Sequence, residues 1–188
     1  MLVSVLALAC APSSSDSMGD EHSSSESSGS EAPRSPQCEC IELTPDNERP
    51  APEFPTCGEL QCPVITPNWD VRVGQVSYDA EDEANIDCAL QALRDRSPGL
   101  LRITSDSGSS SGDWYVLVGD EDDAVYRGWV RNGQAHEVAD AEAGPLRSPD
   151  YFEACLADPD PGARRGCIQA ALERVDEICD AGWEYVAG

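Results

Sequence analysis

Lysine is missing from this chain altogether: the twelve basic residues among 188 are all arginine. Schiff-base chemistry and amine nucleophiles are therefore excluded. Positive charge is scarce in general, with 36 acids against 12 arginines and a formal net charge of −24. Five of those acids and one arginine fall between Ala11 and Gln37, so 31 acids and 11 arginines belong to the body beyond it. A surface of that sign repels phosphate backbones and anionic headgroups, whose binding needs clustered bases, and nucleic acid is disfavoured as a partner. Histidine is reduced to His22 and His136, one inside a polar tract and one alone between Ala135 and Glu137. A lone strand histidine is a solvated or hydrogen-bonded residue before it is a base or ligand. The exclusive use of arginine offers bidentate carboxylate recognition; it equally reflects a GC-rich coding bias, with which the abundant Ala, Gly, Pro, Asp and Glu agree.

Long apolar runs are lacking too. Leu2 to Ala9 is apolar over about eight residues, too short to span a bilayer but suited to a signal-peptide core. It ends at Cys10, and Leu6-Ala7-Leu8-Ala9-Cys10 resembles the lipobox of bacterial lipoproteins. The resemblance covers these few residues; Ala7 stands where that family commonly has Leu, and no charged residue precedes Cys10, which implies a start upstream of Met1. It implies lipidation of Cys10 and attachment by lipid to the outer membrane or cell surface, since Ala11 is not the Asp that retains some family members at the inner membrane. Residues 11–37 are rich in Ser with Gly, Pro, Asp and Glu, cannot bury enough surface to fold, and predict a disordered linker reaching roughly 25–30 Å.

Cysteine, by contrast, is abundant. Setting Cys10 aside leaves eight: Cys38, Cys40, Cys57, Cys62, Cys88, Cys155, Cys167 and Cys179. That even number in an exported chain predicts a disulfide framework. Cys38, Cys40, Cys57 and Cys62 could alternatively cage zinc, but neither pair has the Cys-x-x-Cys spacing of a zinc knuckle. Cys155 and Cys167 are equally far from Pro161, which predicts a staple between them and leaves Cys88 to join Cys179.

The remaining patterns predict an α+β domain. Residues 38–67 read as a Cys/Pro-rich extended lead-in and residues 68–188 as the folded part. Val71, Val73 and Val76 suggest a strand. Residues 82–96 read as a helix with Ile86, Ala89, Leu90 and Leu93 on one face, stopped by Pro98-Gly99. Strands follow at 100–104, 114–118, 124–131 and 134–139, with a Ser/Gly loop at 105–112 and a type I′ hairpin at Asn132-Gly133. Ser148-Pro149 and Asp160-Pro161 open two helices, the second reaching Cys179. The expectation is a small antiparallel sheet of 3–5 strands, one helix before it and a C-terminal αα-hairpin, disulfide-stapled.

No chemistry stands out from this frame. Ser105-Asp106-Ser107-Gly108 resembles the nucleophile motif of chymotrypsin-like proteases, but a triad needs a base beside the serine, and only His136 is available outside the linker. Asp120, Asp122, Asp123, Asp158 and Asp160 are calcium candidates by clustering alone, without EF-hand spacing, and a charged turn and a helix cap account for them. No cofactor is implied. The sequence therefore predicts a non-enzymatic, lipid-anchored exported module that binds a protein or glycan or acts structurally. A carboxylate-dependent hydrolase and an inhibitor of a cationic enzyme are the alternatives. A cleft with two facing acids would favour the hydrolase, and a sheet face bearing Trp114, Tyr126 or Trp129 would favour binding.

Overall fold

A short 3₁₀ turn at Pro36–Cys40 is the first element of the computed structural model, which describes residues 36–41, 55, 57–70, 72, 74–107, 110–120 and 122–186. The signal-like stretch, Cys10, His22, nearly all of the linker, Val71 and Val73 lie outside the described residues. The described residues form nine strands: β1 Asn68–Asp70, β2 Gln75–Ser77, β3 Gly99–Asp106, β4 Ser110–Val118, β5 Asp123–Asn132, β6 Ala135–Val138, β7 Ala141–Pro145, β8 Glu177–Asp180 and β9 Trp183–Val186. Three α-helices, α1 Ala80–Arg94, α2 Pro149–Leu156 and α3 Pro161–Gln169, interrupt them. The expected small sheet is thus corrected to one large mixed sheet of nine strands.

Register explains how nine segments make one sheet. β3, β4 and β5 form an antiparallel meander, Leu101 facing Val116 and Val116 facing Tyr126. Beyond β5, Trp129 pairs with Val138 but Tyr126 pairs with Glu142, so two residues of β5 oppose three of the neighbouring chain. That is a β-bulge, and β6 and β7 are one strand bent by it. β9 and the end of β8 share one register against this bent strand, from Ala135↔Val186 to Ala141↔Asp180, and the register then shifts by one residue, Glu142 pairing with Ile178. On the opposite edge, β1 runs parallel to β3, and residues 60–65 extend that edge through Leu60↔Leu100 and Ile65↔Ile103. The Cys/Pro-rich lead-in is therefore bonded into the sheet, with Gln61 N–H donating to the Leu100 carbonyl at 3.0 Å and Ile65 N–H to Arg102 at 3.1 Å.

The helices start where their caps put them. Asp79 accepts from the Glu81 and Asp82 N–H groups at 2.9 Å and forms a capping box with Asp82. Ser148 caps α2 ahead of Pro149, and Asp160 caps α3 ahead of Pro161. α1 buries Ile86, Ala89, Leu90 and Leu93 against Leu101, Ile103, Val116 and Val118 of one sheet face, and Phe152 and Ile168 of α2 and α3 complete that core. A second core lies on the other face, where Cys38 and Ile41 cover Leu100, Tyr115, Leu117 and Val125.

Four disulfides tie these parts together: Cys38–Cys179, Cys40–Cys57, Cys62–Cys88 and Cys155–Cys167. Such a framework fits an extracytoplasmic protein. The Cys155–Cys167 staple forms as its spacing suggests, whereas Cys88 joins Cys62 rather than Cys179. Among the described residues no helix is long and apolar enough to cross a membrane.

Other expectations also need correction. The helix does not precede the sheet: the β1–β2 hairpin comes first, turning within the stretch expected to be one strand from Val71 to Val76. The Ser/Gly segment 105–112 is mostly strand, because Asp106 and Ser111 already pair. The hairpin after β5 turns at Gly133-Gln134, since Asn132 pairs with Ala135; Gly133 alone has a positive φ, +61°, the φ pattern of a type II′ turn. α3 stops at Gln169, ten residues before Cys179, so the αα-hairpin does not end the chain. Ladder bonds take over: Arg147 N–H donates to Ala171, Glu173 N–H to Pro145 and Asp176 N–H to Ala143. Gly144 makes room for this turn, because a Cβ there would strike the Arg174 carbonyl. Val175 and Ile178, expected on the helix's buried face, are 47% and 45% exposed.

Candidate ligand cleft

Where the β1–β2 hairpin, the β3–β4 turn and α3 converge, they enclose a cleft of about 310 Å³. β1 and β2 supply Trp69 and Val76, which face each other across the hairpin and are 41% and 37% exposed. The β3–β4 turn supplies Ser105, Asp106, Ser107 and Ser110, the last two locked by Ser107 Oγ donating to the Ser110 carbonyl at 2.9 Å. Trp114 of β4 and Arg165 of α3 close the cleft. At this volume it sits near the small end of the usual range for ligand sites, roughly 300–1,000 Å³.

The floor beneath Trp114 is made of glycine. Trp114 pairs with Gly128 across β4–β5, and a Cβ on Gly128 would collide with the indole. A Cβ on Gly112 would stand 3.1 Å from Cη2 of the same ring. Bare backbone thus lets the indole lie flat on the sheet. Gly128→Ala should lift the ring into the cleft, shift the tryptophan emission and destabilise the fold by about 1–3 kcal/mol. Fluorescence and denaturant unfolding check this, and an unshifted spectrum with unchanged stability would count against the packing.

Arg165 has no carboxylate partner among the described residues. Its guanidinium lies 6.0 Å from the Tyr78 ring, and its Nε is buried without a hydrogen-bond partner. Its neighbour Arg164 is occupied by carboxylates, donating to Glu83 at 2.8 Å and to Asp87. Burial, partly countered by the Arg165 charge, raises the Tyr78 phenol above its ordinary value. Among the described residues Asp106 is the one carboxylate lining the cleft, and it is exposed.

Other residues singled out in the sequence are placed elsewhere. Ser105 and His136 sit on β3 and β6 with two strands between them, about 14 Å of strand spacing, and on opposite sheet faces, so no triad forms. His136 stacks on Trp129 at 5.9 Å, and burial followed by the Arg131 charge lowers its pKa. Tyr126 shares the face of Trp114 but packs towards the helices, and burial followed by the Glu142 charge pushes its phenol up to about 12. Tyr126, Glu142, Glu173 and Arg174 line a separate cleft of about 260 Å³. Among the calcium candidates, Asp122 pairs with Arg96 at 3.3 Å, Asp158 accepts from the Asp160 N–H at 2.8 Å, and Asp160 caps α3. Asp120 and Asp123 flank the β4–β5 turn. Among the described residues no group of three His, Cys, Asp or Glu side chains is placed to hold a metal ion. A larger cavity, about 430 Å³, lies beside the Cys40–Cys57 disulfide, and among the described residues its lining has neither an aromatic ring nor an arginine.

Trp69 and Arg165 escaped the sequence reading. A single exposed tryptophan after proline and one arginine of an adjacent pair carry no pattern. The usable signal was glycine at 112 and 128 inside β-prone segments that flank Trp114 in the hairpin. No protein-family model, curated protein or solved structure matches the chain.

Proposed function

We propose that this protein is an exported, lipid-tethered, non-enzymatic module that holds a glycan in the Trp69–Trp114 cleft. The lipid anchor on Cys10 and the outer-membrane or cell-surface location rest on the lipobox-like sequence, and the disulfide framework supports export. The observation that carries the ligand reading is two tryptophans, three serines, an aspartate and an arginine around one small cleft. Flat indoles offer apolar faces to pyranose rings, and hydroxyl and carboxylate groups at the rim suit sugar hydroxyls. A protein partner fits less well, because the concave surface holds only a ring or two.

Titration of short soluble oligosaccharides into the full chain, followed by tryptophan emission, tests this reading. Binding should weaken about tenfold in Trp114→Ala, the upper end of what one stacked aromatic contributes. A panel that leaves the emission unchanged would remove the glycan reading. Hydrolysis of an oligosaccharide by the wild type but not by Glu142→Gln would replace it with the carboxylate-dependent hydrolase, centred on Glu142 and Glu173. Intact mass of the membrane-extracted chain tests the tether: it should begin at Cys10, carry acyl mass and take up no alkylating reagent.

A further inference from the structure

We infer that the Trp69–Trp114 cleft selects saccharides that carry a carboxylate, with Arg165 as the group that holds it. This rests on the glycan reading above and adds the chemical class of the sugar. Three observations support it. The first is how Arg165 is left. In a chain with three acids for every arginine, a carboxylate partner is easily found, and Arg164, Arg94, Arg96, Arg102, Arg127 and Arg174 each have one. Among the described residues Arg165 has none and lies 6.0 Å from the Tyr78 ring; Arg147 also has none, but its Nε donates to the Ala170 carbonyl, whereas the Arg165 Nε has no acceptor.

The second is desolvation. The nearby Tyr78 ring and burial of Nε without an acceptor hold the charge partly out of water. A cation in that setting attracts an anion far more strongly than one in bulk solvent does. The carboxylate of Asp106 opposes an anion from the rim, but it is exposed, and a charge facing open solvent acts more weakly than one held against the protein interior.

The third is geometry. Arginine presents a planar fork that matches a carboxylate with two parallel hydrogen bonds. The Tyr78 ring, 6.0 Å away, bounds one side of that fork. Trp114, laid flat on its glycine floor, supplies a platform for the sugar ring in the same cleft. The ring is thus held by indole and the acidic substituent by guanidinium.

The test compares oligogalacturonate with its fully methyl-esterified form, which keeps the rings and removes the charge, by calorimetric titration of the full chain. The acid should bind about tenfold or more tighter than the ester, as a charge-assisted pair requires. Arg165→Gln should erase that difference while ester binding persists, and Arg165→Lys should keep part of it, because lysine retains the charge and loses the fork. Thermal unfolding of each variant confirms that the fold is intact. Equal, Trp114-dependent binding of both ligands, or a preference that survives in Arg165→Gln, overturns the carboxylate assignment and leaves the glycan site standing. Failure of both ligands to bind overturns both.

Discussion

Replacing Cys38 and Cys179 together by alanine should lower the unfolding free energy by about 5 kcal/mol, the largest loss of any disulfide in this protein. The bond spans 141 residues, against 26 for Cys62–Cys88 and 12 for Cys155–Cys167. Chain-entropy stabilisation grows with the logarithm of the closed loop, giving about 5, 3.5 and 3 kcal/mol for the three. The structure adds a packing term in the same direction. Cys38 and Ile41 are 1% and 5% exposed and form the cover over Tyr115, Leu117 and Val125. Among the described residues that cover is only a 3₁₀ turn, too short to hold its place by its own backbone bonds. Its release opens the second core to water, so denaturation should show a lower midpoint. The Cys155–Cys167 pair closes a hairpin that α1 already packs, and its removal should cost least. Urea unfolding of the three double variants gives the order, and a Cys38/Cys179 variant that loses less than 1 kcal/mol would refute both the cover and the loop argument.

The same contrast between local and distant constraints decides what the sequence could reveal. α1 was legible because Asp79 and Asp82 cap it and Ile86, Ala89, Leu90 and Leu93 repeat at helical spacing. β3 to β5 were legible because Leu100, Leu101, Ile103, Val116, Leu117, Val118 and Val125 are buried β-prone residues in short runs, and β6 because Asn132-Gly133 marks a turn before it. β1 and β2 were not, since every residue in both is exposed and the β signal of burial is missing. β7 runs Ala-Glu-Ala-Gly-Pro, poor in strand formers, and is held by its partners on both sides. β8 looked like the end of a helix because Val175 and Ile178 continue the spacing of Ile168 and Ala171. The Cys38–Cys179 bond and the β7 ladder, both set by residues far off in sequence, override that local periodicity. The cleft suffered in the same way. Trp114 could be read as a sheet residue, but its convergence with Trp69 and Arg165 depends on a parallel edge pairing and on the seat of α3 against β4.

The ion pair inside the sheet carries the second large effect. Arg127 and Asp180 have side chains 2% and 5% exposed, with Nη2 and Oδ2 2.7 Å apart, and Arg127 Nε donates to the Ala139 carbonyl at 3.2 Å. Arg127 stands on β5 opposite the bulge that separates β6 from β7, and Asp180 ends β8 on the strand beyond. The pair thus clips the bent outer strands to the flat meander. Removing one partner strands a charge in a medium that cannot solvate it, so Arg127→Met or Asp180→Leu alone should each cost about 3–5 kcal/mol. The double variant Arg127→Met/Asp180→Leu leaves no buried charge and should recover most of that loss, because replacing a buried pair by apolar groups is often neutral or better. Arg174–Asp176, 62% and 50% exposed, is the control: its removal should change stability by less than about 1 kcal/mol. A double-mutant cycle in urea separates the cases. Additive losses in the double variant would mean that Arg127 acts through its bond at the bulge and its packing, and that the charge of Asp180 is solvated by another route.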